Sequence, residues 1–283
     1  MKKKVLALAL ATIAVIGALT GCGSSSKKIT VAIPNDTTNE ARSLLLLEEN
    51  GLIKLDKDAG IQATVKDIKK NPYNIEFKEV EAAQVPNVLQ DVNFAVINSN
   101  YALDAKLNPT KDSLAIEGSS SAYSNILAVK EGNENTDLTK ALKAALESKQ
   151  VADFIAKQYD GAVVSTVDNP TDGYDSSVDY AKLAGQKITV AASPTPHAEI
   201  LAVAKDILAK KDITLEVTEF TDYVQPNKVV DSGEIYANYF QHKPYLDDFN
   251  KENGTKVVSV ASIHVEPMGI YGGKSKSLDE LKK

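Results

Sequence analysis

The chain has 283 residues, 43% hydrophobic and 25% charged, an ordinary globular composition long enough to bury a core without cross-links. Its single cysteine, Cys22, excludes an intramolecular disulfide framework and a cysteine-built zinc site, and a formal charge of -6 argues against nucleic acid as the main partner. Of 32 basic residues only one, Arg42, is arginine.

The chain opens with Lys2-Lys3-Lys4 and an uncharged apolar run, Val5 to Leu19, that ends in Leu19-Thr20-Gly21-Cys22. The run is short for a hydrocarbon layer of roughly 30 Å. Its small-residue ending places Cys22 where a bacterial lipoprotein signal is cut. The expectation is a signal peptide over 1–21, a lipidated Cys22 and a tether over 22–27. The acyl chains then hold the protein on the extracytoplasmic face of the cell membrane.

Beyond the tether, strand and helix patterns alternate. Ile29 to Ile33 is a β-branched run, and a helix follows from about Asn39 to Asn50, closed by Gly51. Asn74 to Val80 alternates with period two, Pro86 to Asp91 reads as a short helix, and Phe94 to Ile97 as a buried strand. Ile126 to Val129 is a strand, with two helices over about Leu138 to Tyr159. Ser165 to Asp179 is polar and without apolar periodicity, a linker or long surface loop. Lys187-Ile188-Thr189-Val190-Ala191 then repeats Lys28-Ile29-Thr30-Val31-Ala32 letter for letter. Each copy runs into a proline-containing loop and an amphipathic helix, the second over about His197 to Lys211, with Pro196 in its first turn. Ile235 to Phe240 is a further strand. Two such units predict two open α/β sheets facing each other, with ligand bound outside the carboxyl ends of the strands.

The strand ends carry the candidate residues. With Asn39 as N-cap, Arg42 falls at the third helical position, where a cation is disfavoured by roughly 0.3–1 kcal/mol. A lysine-rich chain that places its one rigid, two-pronged guanidinium there points to a carboxylate clamp; a surface salt bridge with Glu40 or Glu49 is the alternative. Asn98 ends a buried strand and offers both a donor and an acceptor to an amino-acid backbone, though Asn is also common in turns. Tyr223, Phe240 and His242 sit near cleft loops, where aromatics pack well against sulfur; core packing is the bland alternative for each. His197, His242 and His264 form a metal site only if all three converge with a carboxylate such as Glu266, since no local ligand spacing links them. No G-x-S-x-G elbow, P-loop, G-x-G-x-x-G or H-E-x-x-H occurs, and Ser119-Ser120-Ser121 has no adjacent base, so nothing asks for an enzyme or a cofactor.

The segments Pro194-Thr195-Pro196-His197-Ala198-Glu199-Ile200-Leu201, Glu219 to Asn227, Asn238 to Leu246 and His264-Val265-Glu266-Pro267-Met268-Gly269 resemble the NlpA-type lipoproteins. Ile33-Pro34-Asn35-Asp36, Asn39-Glu40-Ala41-Arg42 and Val96-Ile97-Asn98 do so as well. These are the methionine-binding proteins of ABC importers. The resemblance implies a type II periplasmic-binding-protein fold, a monomer with two α/β lobes that hinge over an interlobe cleft. It implies L-methionine, D-methionine or a methionine-containing dipeptide as ligand, and permease and ATPase subunits as partners. It makes Arg42 the carboxylate clamp, Asn98 the amide that fixes the ligand backbone, and Tyr223, Phe240 and His242 the side-chain pocket. The order departs from the family. There the Pro-His-Ala-Glu-Ile-Leu block comes first and Ser-Leu-Asp-Glu-Leu runs into Ile-Pro-Asn-Asp, whereas here the chain stops at Ser277 to Lys283 and starts with the other half. A circular permutation is expected, joined by a polar linker over 165–186. The smaller lobe then takes 28–101 plus 275–283, and the larger takes 103–274. Two other functions compete with methionine capture: a zinc- or manganese-binding lipoprotein, and a surface interaction lipoprotein without a transport role.

Overall fold

The computed structural model describes residues 28–118 and 121–282. The expected signal, lipid attachment at Cys22 and tether lie outside the described residues, as do Ser119 and Ser120.

The strand β1 (Ile29–Pro34) leads into helix α1 (Thr37–Glu49). A ribbon of β2 (Lys54–Leu55) and β3 (Ile68–Lys70) precedes β4 (Ile75–Val80) and β5 (Phe94–Ile97). Helices α2 (Ser99–Asp104) and α3 (Pro109–Asp112) run to β6 (Ser113–Ile116), and β7 (Ser124–Lys130) opens the second body. There α4 (Asp137–Leu146), α5 (Lys149–Tyr159), β8 (Val164–Ser165), α6 (Tyr180–Leu183), β9 (Lys187–Ala192), α7 (Glu199–Ala209) and β10 (Thr214–Glu219) follow. After α8 (Gln225–Ser232), β11 (Ala237–His242), α9 (Lys243–Asn253) and β12 (Val257–Val265), the chain returns to the first body with β13 (Gly269–Gly272).

These strands form two sheets, in the orders β4-β1-β5-β13-β6 and β10-β9-β11-β7-β12-β8. In both, the strand bearing the repeated Ile-Thr-Val-Ala lies second, between parallel neighbours: β1 between β4 and β5, and β9 between β10 and β11. In both, the fourth strand is antiparallel to its two neighbours, β13 between β5 and β6 and β7 between β11 and β12. The five-letter repeat thus marks the same position in two equivalent sheets. Central parallel strands are apolar on both sides because both faces are covered. Val31, Ile33, Phe94 and Val96 pack with Leu44 and Leu47 of α1, while Ala32, Ala95 and Ile97 pack on the opposite face with Leu89, Tyr101 and Ala102.

The structure redraws several boundaries. Helix α1 is capped by Asp36, whose carboxylate accepts from the Asn39 amide at 2.9 Å, so Asn39 is the third helical residue and Arg42 the sixth. The dipole penalty expected for Arg42 therefore does not apply, because that effect fades within the first turn. Pro196 lies in an irregular turn before α7 rather than in the helix. Strand β11 runs on to His242, which caps α9 by accepting from the Tyr245 amide, and so is not a loop residue. Strands β6 and β13 fall in the range 103–274 read as the larger lobe, yet they pair within the first sheet. Met268 and Ile270 are buried against Phe94 and Val96 there. The chain therefore crosses between the sheets after β6 and again after β12.

The polar stretch after β8 is packed rather than free. Thr171 pairs with Ser148, the Tyr174 hydroxyl donates to the Ile207 carbonyl at 3.2 Å, and Val178 and Leu183 enter the core beneath α7. The Lys211 ammonium sits 4.6 Å from the Tyr174 ring centroid. Tyr174, with Tyr180 packed edge-on against it at 5.5 Å, and the aliphatic Val178 and Leu183 are enough to bind a segment whose composition alone reads as loop.

Candidate functional site

A narrow cleft lies between the sheets, lined by Arg42, Asn98, Tyr223, Phe240 and His242. All five sequence-predicted residues thus meet in one place. Asn39, Ser99, Asn100, Asn125, Gln241, Tyr245 and Glu266 complete the lining. The first sheet supplies its residues from α1 and from the end of β5, the second from β7, β11 and the loop before α8.

Arg42 is buried, and its side chain meets a carboxylate that the sequence does not anticipate. Its Nε donates to both oxygens of Glu117 at 3.0 Å, and its Nη2 donates to Glu117 Oε2 at 2.5 Å and to the Glu266 carbonyl at 2.8 Å. Glu40 is engaged elsewhere, accepting from the Val65 amide at 2.8 Å. Glu117 also accepts from the Met268 amide at 3.1 Å, so Arg42 and Glu117 together tie the two interlobe crossings. The guanidinium carbon lies 4.5 Å from the Tyr123 ring centroid. These bonds engage Nε and Nη2, and Nη1 carries none of them.

The asparagines show what the cleft lacks. Asn98 Nδ2 donates to Asn39 Oδ1 at 2.9 Å, and the Tyr223 hydroxyl donates across the cleft to Asn100 Oδ1 at 2.6 Å. Asn98 Oδ1 and Asn100 Nδ2 are buried with no hydrogen-bond partner. An orphaned buried acceptor or donor costs about 1–3 kcal/mol. One of each facing a cleft is the complement of a zwitterion, which brings both an ammonium and a carboxylate.

The aromatic wall is anchored from below. Tyr223 packs on Tyr101, Phe240 and Tyr245, with centroids at 4.9, 5.9 and 5.8 Å. Asn227, Asn238 and Gln241 bond one another in a buried triangle at 2.7–3.0 Å, fixing the start of α8 to β11 and hence the loop that carries Tyr223. Burial, with the nearby Arg42 charge adding to it, pushes the His242 imidazole well below its ordinary value. It stays neutral, accepting on Nδ1 from the Tyr245 amide, so the wall carries no charge.

The three histidines do not converge as a metal site requires. His197 and His264 meet Glu266, with ligand atoms within 4.8 Å of one another, while His242 lies apart in the cleft wall. The contacts are hydrogen bonds. His264 Nε2 lies 2.7 Å from Glu266 Oε1, His197 Nε2 lies 3.2 Å from the same oxygen and 2.9 Å from Asn125 Oδ1, and the Tyr239 hydroxyl meets His264 Nδ1.

Asn39, Ser99, Asn100, Asn125, Gln241, Tyr245 and Glu266 escape the sequence reading as cleft residues. The signal available for Asn125 and Gln241 is an amide inside an otherwise apolar strand. Asn39 is masked by its resemblance to a cap, and Glu266 by its place in an apparent turn.

The family model described as NlpA lipoprotein matches residues 24–167 and 188–283. The probable D-methionine-binding lipoprotein MetQ of Vibrio cholerae is 42% identical over 134 residues, 47% of this chain and 50% of that protein. The methionine-binding lipoprotein MetQ of Bacillus subtilis is 45% identical over 141 residues, 48% of this chain and 51% of that protein. The chain thus spans about half the length of the curated relatives it matches. Among solved structures, a nutrient-binding protein from Burkholderia cenocepacia bound to methionine is 46% identical, covering 49% of this chain and 58% of that one with a TM-score of 0.48. With matches to the family model over both its halves, the chain belongs to the NlpA lipoprotein family.

Proposed function

We propose that the protein is the substrate-binding lipoprotein of an ABC importer, capturing methionine between its lobes and delivering it to a permease. The observation that carries this reading is the meeting, in one buried cleft, of Arg42, an orphaned acceptor on Asn98, an orphaned donor on Asn100 and an uncharged aromatic wall. Polar ends for an amino-acid backbone face an apolar slot, and a thioether gains about 0.3–1.5 kcal/mol against each well-placed ring. Similarity to methionine-binding lipoproteins supports the ligand, and the relative named membrane lipoprotein TpN32 supports a membrane location. No helix among the described residues is long and apolar enough to cross a membrane, which fits anchoring by lipid at Cys22 on the extracytoplasmic face. We assign the protein no catalysis.

The chain order is read as a circular permutation of the family order. Two segments of match to the family model, separated by 168–187, support it, as do relatives that each match over about half their length. Strand β1 and the tail also lie together: Asn93 accepts from the Thr30 amide at 3.0 Å and donates to Ser275 at 3.1 Å.

Mass spectrometry of ligand released from the purified protein, followed by calorimetry with L-methionine, D-methionine and glycylmethionine, tests the assignment. Saturable binding of at least one is expected; no heat with any of the three sinks it.

A further inference from the structure

We propose that Glu266 recognises the ligand's α-ammonium, and that His264 and Tyr239 position it to do so. The inference rests on the amino-acid reading above and names the group that makes a free amine obligatory.

Glu266 stands where the chain leaves β12 to cross back to the first sheet, it lines the cleft, and only 5% of it is exposed. Burial raises the Glu266 carboxyl above its ordinary value, so its charged form is favoured only when a cation joins it. The one guanidinium nearby is committed to Glu117 and touches Glu266 only through its backbone carbonyl. The side chains that touch the Glu266 carboxylate are His264 and His197, the Asn100 backbone amide also bonds to it, and the nearby Arg42 charge partly favours its ionised form; burial holds both imidazoles down to about 3. They give it hydrogen bonds and no charge.

The network also fixes the geometry. For His264 to donate to Glu266, Nε2 must carry the proton, and Nδ1 is then an acceptor. The Tyr239 hydroxyl meets Nδ1 as the donor that this tautomer requires. His264 and Tyr239 are both fully buried, so the relay is rigid. Both histidines bind Oε1, leaving Oε2 clear of them. The orphaned Asn98 Oδ1 is a second acceptor on the same cleft. A carboxylate oxygen and an amide oxygen suit the N–H donors of a primary ammonium, while Arg42 and Asn100 Nδ2 are left for the ligand's carboxylate. A ligand that lacks the ammonium, or carries it acylated, leaves Glu266 buried and uncompensated.

Calorimetry on the full-length protein tests this, with L-methionine and with its desamino analogue, 4-(methylthio)butanoate. The wild type is expected to prefer methionine by at least about 100-fold. Glu266→Gln keeps the shape and loses the charge; it is expected to bind methionine about 100-fold more weakly and the analogue within a few-fold of wild type. Tyr239→Phe removes only the hydroxyl that sets the His264 tautomer. It is expected to lower methionine affinity several-fold and leave the analogue unchanged, which keeps the test decisive if Glu266→Gln does not fold. Equal losses for both ligands, or no loss for methionine, overturn the assignment while leaving the binding reading intact. A wild type that binds glycylmethionine but neither enantiomer of methionine overturns this assignment alone, and one that binds none of the three overturns both.

Discussion

Arg42 joins the cleft to the interlobe crossings. Its guanidinium holds Glu117 bidentately and reaches the Glu266 carbonyl, so removing it strands a largely buried carboxylate at a crossing between lobes. Arg42→Ala is expected to abolish methionine binding and to destabilise the fold by about 3–5 kcal/mol, the usual result of breaking a buried pair. A calorimetric titration and a denaturant melt check the two effects. Arg42→Lys retains the charge but loses the planar fork. Methionine affinity is expected to fall by at least about tenfold, or about 1.4 kcal/mol, with the fold retained. Unchanged affinity would show that the residue serves the hinge alone. At this scale the sequence was informative about identity and poor about partners. A lone arginine among lysines stands out from composition, but Glu117 is 75 positions away and nothing local links the two.

Among the elements, the loop before α8 bridges the cleft. Tyr223 reaches Asn100, Tyr101 reaches the Thr221 carbonyl at 3.1 Å, and Thr38 of α1 donates to Asp248 of α9 at 3.0 Å, all from one lobe to the other. Tyr223→Phe deletes one of these bonds and leaves Asn100 Oδ1 without its donor. A cost of about 1–2 kcal/mol follows, so methionine is expected to dissociate roughly 5–30-fold faster in stopped-flow displacement, with little change in association. An unchanged dissociation rate would place the bond outside the closing step. Strands with strong apolar character, such as β5, were legible to the residue. Short β6 and glycine-bounded β13 were not, because their strand character comes from pairing with partners far off in sequence.

For the molecule as a whole, the two crossings after β6 and β12 leave both lobes covalently joined by the same pair of segments whatever the order of the halves. Hinge closure is therefore expected to survive the proposed permutation of the family order. Small-angle scattering should show a smaller radius of gyration with L-methionine than without it; identical curves at saturating ligand would exclude a working hinge. Stability is also tied to pH through the buried imidazoles. His197 and His264 titrate near 3 when folded and near 6.5 when unfolded, so the unfolded chain takes up protons first. Their contribution is complete above 6.5 and is lost as pH falls toward 3. Glu266, raised by burial, acts in the opposite sense. The melting temperature is expected to fall from pH 7 to pH 5, and His264→Gln to fall less steeply; parallel slopes would remove this histidine as a cause.

The sequence by itself determined the α/β class, the repeated Ile-Thr-Val-Ala, the family resemblance with its altered order, and the five side chains offered to a cleft. These follow from local signals: periodicity, strand ends and short motifs. Tertiary structure alone decided that Arg42 belongs to Glu117, that two histidines sit under Glu266 while the third walls the cleft, and that 165–186 packs as a strap. Each depends on contacts between residues distant in sequence, where hydrogen-bond satisfaction and burial choose the partner and composition does not.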